Sequence, residues 1–157
     1  MKRLIHLLVS AMIVLPVLWL GSVQPATACS CAEVANPAEA LEQASAVFSG
    51  RVLSLECPSG LVHSSADPVT AVFEVDTVWK GPQQSRIVVT TALMDSSCGF
   101  EFRIGRSYLV YAYGAEDDLQ TDRCTRTRLL MEAQEDLESL GDGWESDYIQ
   151  EPPIAAD

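Results

Sequence analysis

Histidine is nearly absent: the 157 residues hold two, His6 and His63. Basic residues are scarce, with ten Lys and Arg against 22 Asp and Glu and a net charge of −12. So few imidazoles leave no His-based metal or proton-transfer cluster to build. The acidic excess makes nucleic acid and anionic membrane surfaces poor partners. No nucleophile elbow or other catalytic motif occurs. His63 sits in the polar stretch "SGLVHSSADP", where nothing surrounds a Ser-His pair to make it work. The chain therefore reads as a non-enzyme with no cofactor. No internal repeat is present.

One long apolar run exists, from Leu4 to Val23, preceded by Lys2 and Arg3 and followed by Ala26-Thr27-Ala28. A stretch of about 20 apolar residues can cross a bilayer. No basic stop-transfer residues follow it, and a small-residue cleavage site does. Residues 1–28 thus read as a cleaved signal peptide, with Cys29 as the first mature residue. Losing Lys2 and Arg3 leaves eight basic residues against the same 22 acids. The expected destination is extracytoplasmic, periplasmic or extracellular, and therefore oxidising.

The mature chain suits one domain. Asn36-Pro37-Ala38-Glu39 is a helix start, with a capping Asn, a proline for the first turn and a Glu that can reach back. Strand patterns follow at 46–56, 69–79, 86–93 and 107–113, and a short one near 119–123. Gly50 inside the first predicts a bulge or a sharp bend. In "VTAVFEVDTVW" the alternation puts Val69, Ala71, Phe73, Val75, Thr77 and Trp79 on one face. "TRTRLLMEAQEDLESL" (125–140) reads as a helix with a stripe of Leu130, Ala133, Leu137 and Leu140, stopped by Gly141. From Glu132 onward nine acidic residues meet no basic one, and 142–157 reads as an acidic, mobile tail. The fold class is all-β: about five short strands in a small closed barrel, with a short N-terminal and a C-terminal helix packed on it.

The mature cysteines are Cys29, Cys31, Cys57, Cys98 and Cys124. Five is odd, so at most two bridges form within the chain, and spacing does not choose the pairs. Cys29 and Cys31 would make a strained ring with each other. A Cys-x-Cys can also bind a soft metal as thiolates, although no ligand cluster accompanies it here.

The order of several motifs resembles one family. "CSC" at the mature start is followed by "VFSGRV", "VWKG", "SSCGFEFRIGRSYLVYAYG" and "LQTDRC". Together they resemble the N-terminal, netrin-like domain of the tissue inhibitors of metalloproteinases, over residues 29–141. The resemblance implies a five-stranded barrel of the oligonucleotide/oligosaccharide-binding (OB) type. It also implies bridges Cys29–Cys98 and Cys31–Cys124, leaving Cys57 over. The function implied is inhibition of a zinc metalloendopeptidase. The α-amine and carbonyl of Cys29 would chelate the target's catalytic zinc, Ser30 would enter the adjoining pocket, and Ser96 and Ser97 would lie beside the terminus.

Two other readings compete. Ala26-Thr27-Ala28-Cys29 also resembles a degenerate lipobox. A lipidated Cys29 would put the protein on a membrane, leave four cysteines to pair evenly and block chelation. A barrel of this kind can also serve as a non-inhibitory binding module.

Overall fold

The computed structural model describes residues 29–31, 36–57 and 64–145. The stretch read as a signal peptide, Ala32, Glu33, His63 and residues 146–157 lie outside them. Helix α1 (Pro37–Gln43) starts as the sequence predicts. Asn36 Oδ1 accepts a hydrogen bond from the Glu39 N–H at 3.0 Å, and Pro37 needs no partner for its missing N–H. Strands β1 (Ala46–Glu56), β2 (Pro68–Lys80), β3 (Arg86–Ala92), β4 (Ser107–Ala115) and β5 (Asp118–Gln120) follow. A two-residue β6 (Arg128–Leu129), helix α2 (Gln134–Leu140) and a two-residue β7 (Trp144–Glu145) complete the chain.

The first five strands close a barrel in the ring order β1-β2-β3-β5-β4, with β4 returning to pair β1. Every contact in the ring is antiparallel except β3 with β5. The run β4-β1-β2-β3 has Greek-key order, the fourth strand lying beside the first. Phe48, Phe73, Phe102 and Tyr108 fill the interior with Val52, Val75, Val89 and Val110. Phe73 meets Phe48 and Phe102 edge-on, with ring centroids 5.4 and 5.1 Å away, the arrangement that ring quadrupoles favour.

The bulge expected at Gly50 is present, because the β1–β2 register shifts between Ser49 and Gly50. A Cβ on Gly50 would lie 2.6 Å from the Glu74 carbonyl oxygen, so the close strand approach needs glycine. The same shift corrects the single-face reading of β2. Val69, Ala71, Phe73 and Val75 do point inward, but beyond the irregularity Val78 takes the inward position. Thr77 and Trp79 are displaced from it, and Trp79 joins a second apolar cluster. An extra residue in one strand reverses the alternation that follows.

That second cluster unites Val47, Leu109 and Tyr111 with Ala40, Leu41, Leu130, Ala133, Leu137 and Leu140. The predicted Leu/Ala stripe is therefore buried together, but not on one continuous helix. Within 125–140, Arg128 and Leu129 pair with β4, Leu130–Glu132 form a 3₁₀ turn, and only 134–140 is α-helical. Two side chains hold the start of this segment out of a helix. Thr127 Oγ1 accepts the Tyr111 N–H at 3.0 Å, and Arg126 reaches Asp136. Threonine hydroxyls compete in this way with helical hydrogen bonding.

The sheet also extends into the stretch read as a tail. Trp144 and Glu145 pair with Val78 and Thr77 of β2. Gly143 permits this, since a Cβ there would lie 2.5 Å from Thr77 Cγ2 and 2.9 Å from Trp79 Nε1.

Candidate functional site

The β3–β4 connection begins with a 3₁₀ turn, Asp95–Ser97, and Cys98 closes it with φ of 60°, a left-handed conformation unusual for a residue with a Cβ. Gly99 follows, packed so tightly on the Ala92 carbonyl that no side chain fits. Its N–H and that of Ser97 both donate to the Met94 carbonyl, at 3.1 and 3.0 Å. On the other flank, Ser65 and Ser97 share a hydroxyl hydrogen bond of 2.6 Å, and the Met94 N–H donates to the Ser65 carbonyl at 3.0 Å. The segment carrying Ser96, Ser97 and Cys98 is thereby braced on both sides.

A second loop, after β5, is organised by Asp122. Its Oδ1 accepts the N–H groups of Cys124 and Thr125 at 2.7 and 3.0 Å, the turn chemistry that Asp supplies. Its Oδ2 receives the Tyr113 hydroxyl at 3.3 Å. Burial, with the neighbouring Asp122 carboxylate, pushes the Tyr113 phenol above its ordinary value. Arg123 ties this loop to the first: its N–H donates to the Cys98 carbonyl at 2.8 Å, and its guanidinium meets Asp95 at 2.7 Å.

Cys29 and Cys31 are fastened to both loops. Cys29 is bridged to Cys98 and Cys31 to Cys124, with Cα separations of 5.3 and 5.1 Å. The two bridges touch, Cys29 Sγ lying 3.9 Å from Cys124 Sγ. Between them Ser30 is exposed, Cys29 is half-buried, Ser96 is exposed and Ser97 half-buried. Cys57 is a free, exposed thiol at the end of β1. The sulfurs of Cys29, Cys98 and Cys124 lie within 4.8 Å of one another. Bonded in bridges they offer no thiolate, which is the form a metal needs.

No protein-family model matches this chain. A search of curated proteins finds no significant match either.

The remaining motifs have local structural work. Trp79 Nε1 donates to the Gly141 carbonyl at 2.8 Å, and Lys80 Nζ donates to the Leu41 and Glu42 carbonyls at 2.9 and 2.8 Å. "VWKG" thus ties β2 to the C-terminal ends of both helices, where carbonyls lack helical partners. Gly81, at φ of 95°, lets the chain turn against Ala46.

Sequence reading missed the polar cluster behind the second loop. The Thr121, Thr125 and Thr127 hydroxyls are mutually hydrogen-bonded at 2.8–3.0 Å beneath Cys124 and beside the Tyr111 carbonyl. The available signal was three threonines, 121, 125 and 127, within one seven-residue stretch.

Proposed function

We propose that the mature chain is a secreted inhibitor of zinc metalloendopeptidases, acting through the α-amine and carbonyl oxygen of Cys29. The observation that carries this reading is the double fastening of the start: Cys29 and Cys31 are bridged to two different loops, with Ser30 exposed between them. Cleavage after Ala28 would free the α-amine on a rigid ridge. A catalytic zinc keeps one open coordination position. An α-amine has a reference pKa of about 7.7–8.0, so a useful fraction is neutral near pH 7 and can ligate. Ser30 would follow into the adjoining pocket, flanked by Ser96 and Ser97. A terminus already held in place loses little freedom on binding.

The Greek-key order with β5 between β3 and β4 supports assigning the barrel to the OB type, a five-stranded Greek-key architecture. Its two bridges support an extracytoplasmic location. A Cys29 sulfur engaged with Cys98 is not available for a thioether, which favours the unlipidated form over the lipoprotein reading.

The test is the exported protein's intact mass and N-terminal residue, followed by inhibition constants against a panel of zinc endopeptidases. A Cys29 terminus without a lipid increment, together with inhibition of at least one enzyme, is expected. A diacylglyceryl increment, or inactivity across the panel, would move the function to a non-inhibitory binding module.

A further inference from the structure

The barrel wall has a gap beside the first half of β3. Strand β2 flanks β3 from Pro68–Ala92 to Glu74–Arg86, whereas β5 pairs with β3 only at Thr90. The Thr90 carbonyl faces β5 and accepts the Thr121 N–H at 2.9 Å. Backbone direction in a strand repeats every two residues. The N–H and C=O groups of Val88 and Arg86 therefore point the same way as those of Thr90. Among the described residues no strand pairs with them there.

What they face is a hollow of about 570 Å³ between β3 and the turn joining β4 to β5. Ile87 and Leu119, each 3% exposed, form an apolar floor. Glu116 and Asp117 form the opposite lip, and Arg86 is the one cation among the lining residues. Val88 stands 51% exposed on the outer surface of the same edge. Unpaired strand edges are templates for another strand, and proteins that leave one open commonly use it to bind extended peptides.

We propose that the Arg86–Val88 edge is a docking site for an extended segment of a partner protein carrying alternating apolar and basic side chains. The partner's backbone pairs with Val88 and Arg86, its apolar residues pack on the exposed Val88, and its cations meet Glu116 and Asp117. The strongly acidic chain, at −12 overall, selects the same charge at longer range. Cys29 and its bridges take no part, so the proposal stands apart from the inhibitor reading.

The probe is a fluorescein-labelled heptapeptide of alternating valine and lysine, titrated by anisotropy against the mature, oxidised protein. Controls are a valine–glutamate peptide and a valine–lysine peptide N-methylated at alternate residues. Val88→Pro removes the outward N–H without touching the ladder to β2, a position where edge strands tolerate proline. Saturable binding below about 1 mM is expected. Val88→Pro, or Glu116→Lys with Asp117→Lys, should each weaken it by about tenfold or more, the value of one or two hydrogen bonds or charge contacts. Absence of saturable binding by the native protein would overturn the proposal, as would equal binding by the N-methylated peptide, a readout independent of how Val88→Pro folds. A dimer of the native protein that Val88→Pro dissociates would also overturn it, assigning the edge to a second copy of the chain.

Discussion

Arg126 closes on Asp136 through two hydrogen bonds, Nε to Oδ1 at 2.6 Å and Nη2 to Oδ2 at 3.0 Å. The Tyr111 hydroxyl donates to the same Oδ1 at 3.0 Å, and Arg128 Nη1 lies 3.5 Å from Oδ2. Asp136 is wholly buried. This carboxylate joins α2 to β4 and to the loop that carries Cys124, so the outer core and the candidate site share one polar anchor.

Replacing Asp136 by Ala leaves Arg126 buried without its main counter-charge. Breaking a buried pair from one side costs about 3–5 kcal/mol, and urea unfolding of Asp136→Ala should show a loss of that order. Asp136→Asn keeps an acceptor for Tyr111 and should lose less. Equal, small losses for both would mean that the pair contributes little beyond the packing of α2.

The same cluster sets the pH range of stability. Burial works to raise the Asp136 pKa, but hydrogen bonds from Arg126 and Tyr111 and the nearby guanidinia outweigh it, and the net shift is downward. A carboxylate with a lowered folded pKa stabilises the fold above its unfolded value and loses that contribution as pH falls through the folded one. For Tyr111, burial first and Asp136 second push the phenol above its ordinary value of 10.0. Its contribution is complete below pH 10 and is lost as pH rises beyond it. Melting temperature should therefore be flat between about pH 5 and 9 for these groups and fall on both sides. Tyr111→Phe should remove part of the alkaline fall, and an unchanged alkaline limb would reject the role of Tyr111.

Strands β2 and β3 were legible because each has period-2 burial. Strands β1 and β4 are instead buried on both faces, between the barrel interior and the second cluster, and read as continuous apolar runs; Asn36-Pro37 announced α1. The face reversal in β2 was not legible, since it arises from register irregularities against β1 that no local pattern in "VTAVFEVDTVW" encodes. The break at Arg128–Leu129 was hidden for a related reason. The stripe Leu130, Ala133, Leu137, Leu140 suits a helix throughout, and only tertiary bonds from Thr127 and Arg126 oppose it. At the candidate site, the resemblance implied which cysteines pair, while composition left the pairing open. Asp122 and Arg123, which hold the second loop against Cys98, have no signature beyond being polar residues in a turn.

The bridges should differ from the rest of the core in what their loss does. With Cys29–Cys98 still in place, the Cys31–Cys124 bridge closes a loop of only about 30 residues, to which the chain-entropy model assigns about 3–4 kcal/mol. The Cys31→Ala/Cys124→Ala double variant should therefore unfold at markedly lower urea. Cys57→Ser removes an exposed thiol that is in no bridge and should leave stability within about 0.5 kcal/mol. Non-reducing peptide maps should show Cys29–Cys98 and Cys31–Cys124 in the native protein. A dominant bridge from Cys57 would refute the arrangement.

The N-terminus proposed at Cys29 offers the sharpest test, because stability and inhibition should separate there. One Ala added before Cys29 moves the α-amine by about 3.3–3.6 Å, one residue length. A zinc–nitrogen bond is only about 2.0–2.1 Å long, so the amine can no longer ligate in the original pose. The added residue lies outside both bridges, since Cys29 and Cys31 keep their links to Cys98 and Cys124. The extended protein should keep its melting temperature and lose inhibition of any zinc endopeptidase that the native protein inhibits. Carbamylation of the α-amine should act in the same way, because a carbamyl nitrogen has no basic lone pair to give. Ser30→Lys should weaken inhibition while leaving the bridges intact, by forcing a charge toward an apolar pocket. Native and extended proteins are compared side by side by inhibition constant and by thermal melt. Equal inhibition by both would show that Cys29 serves only to staple the chain's start to the barrel.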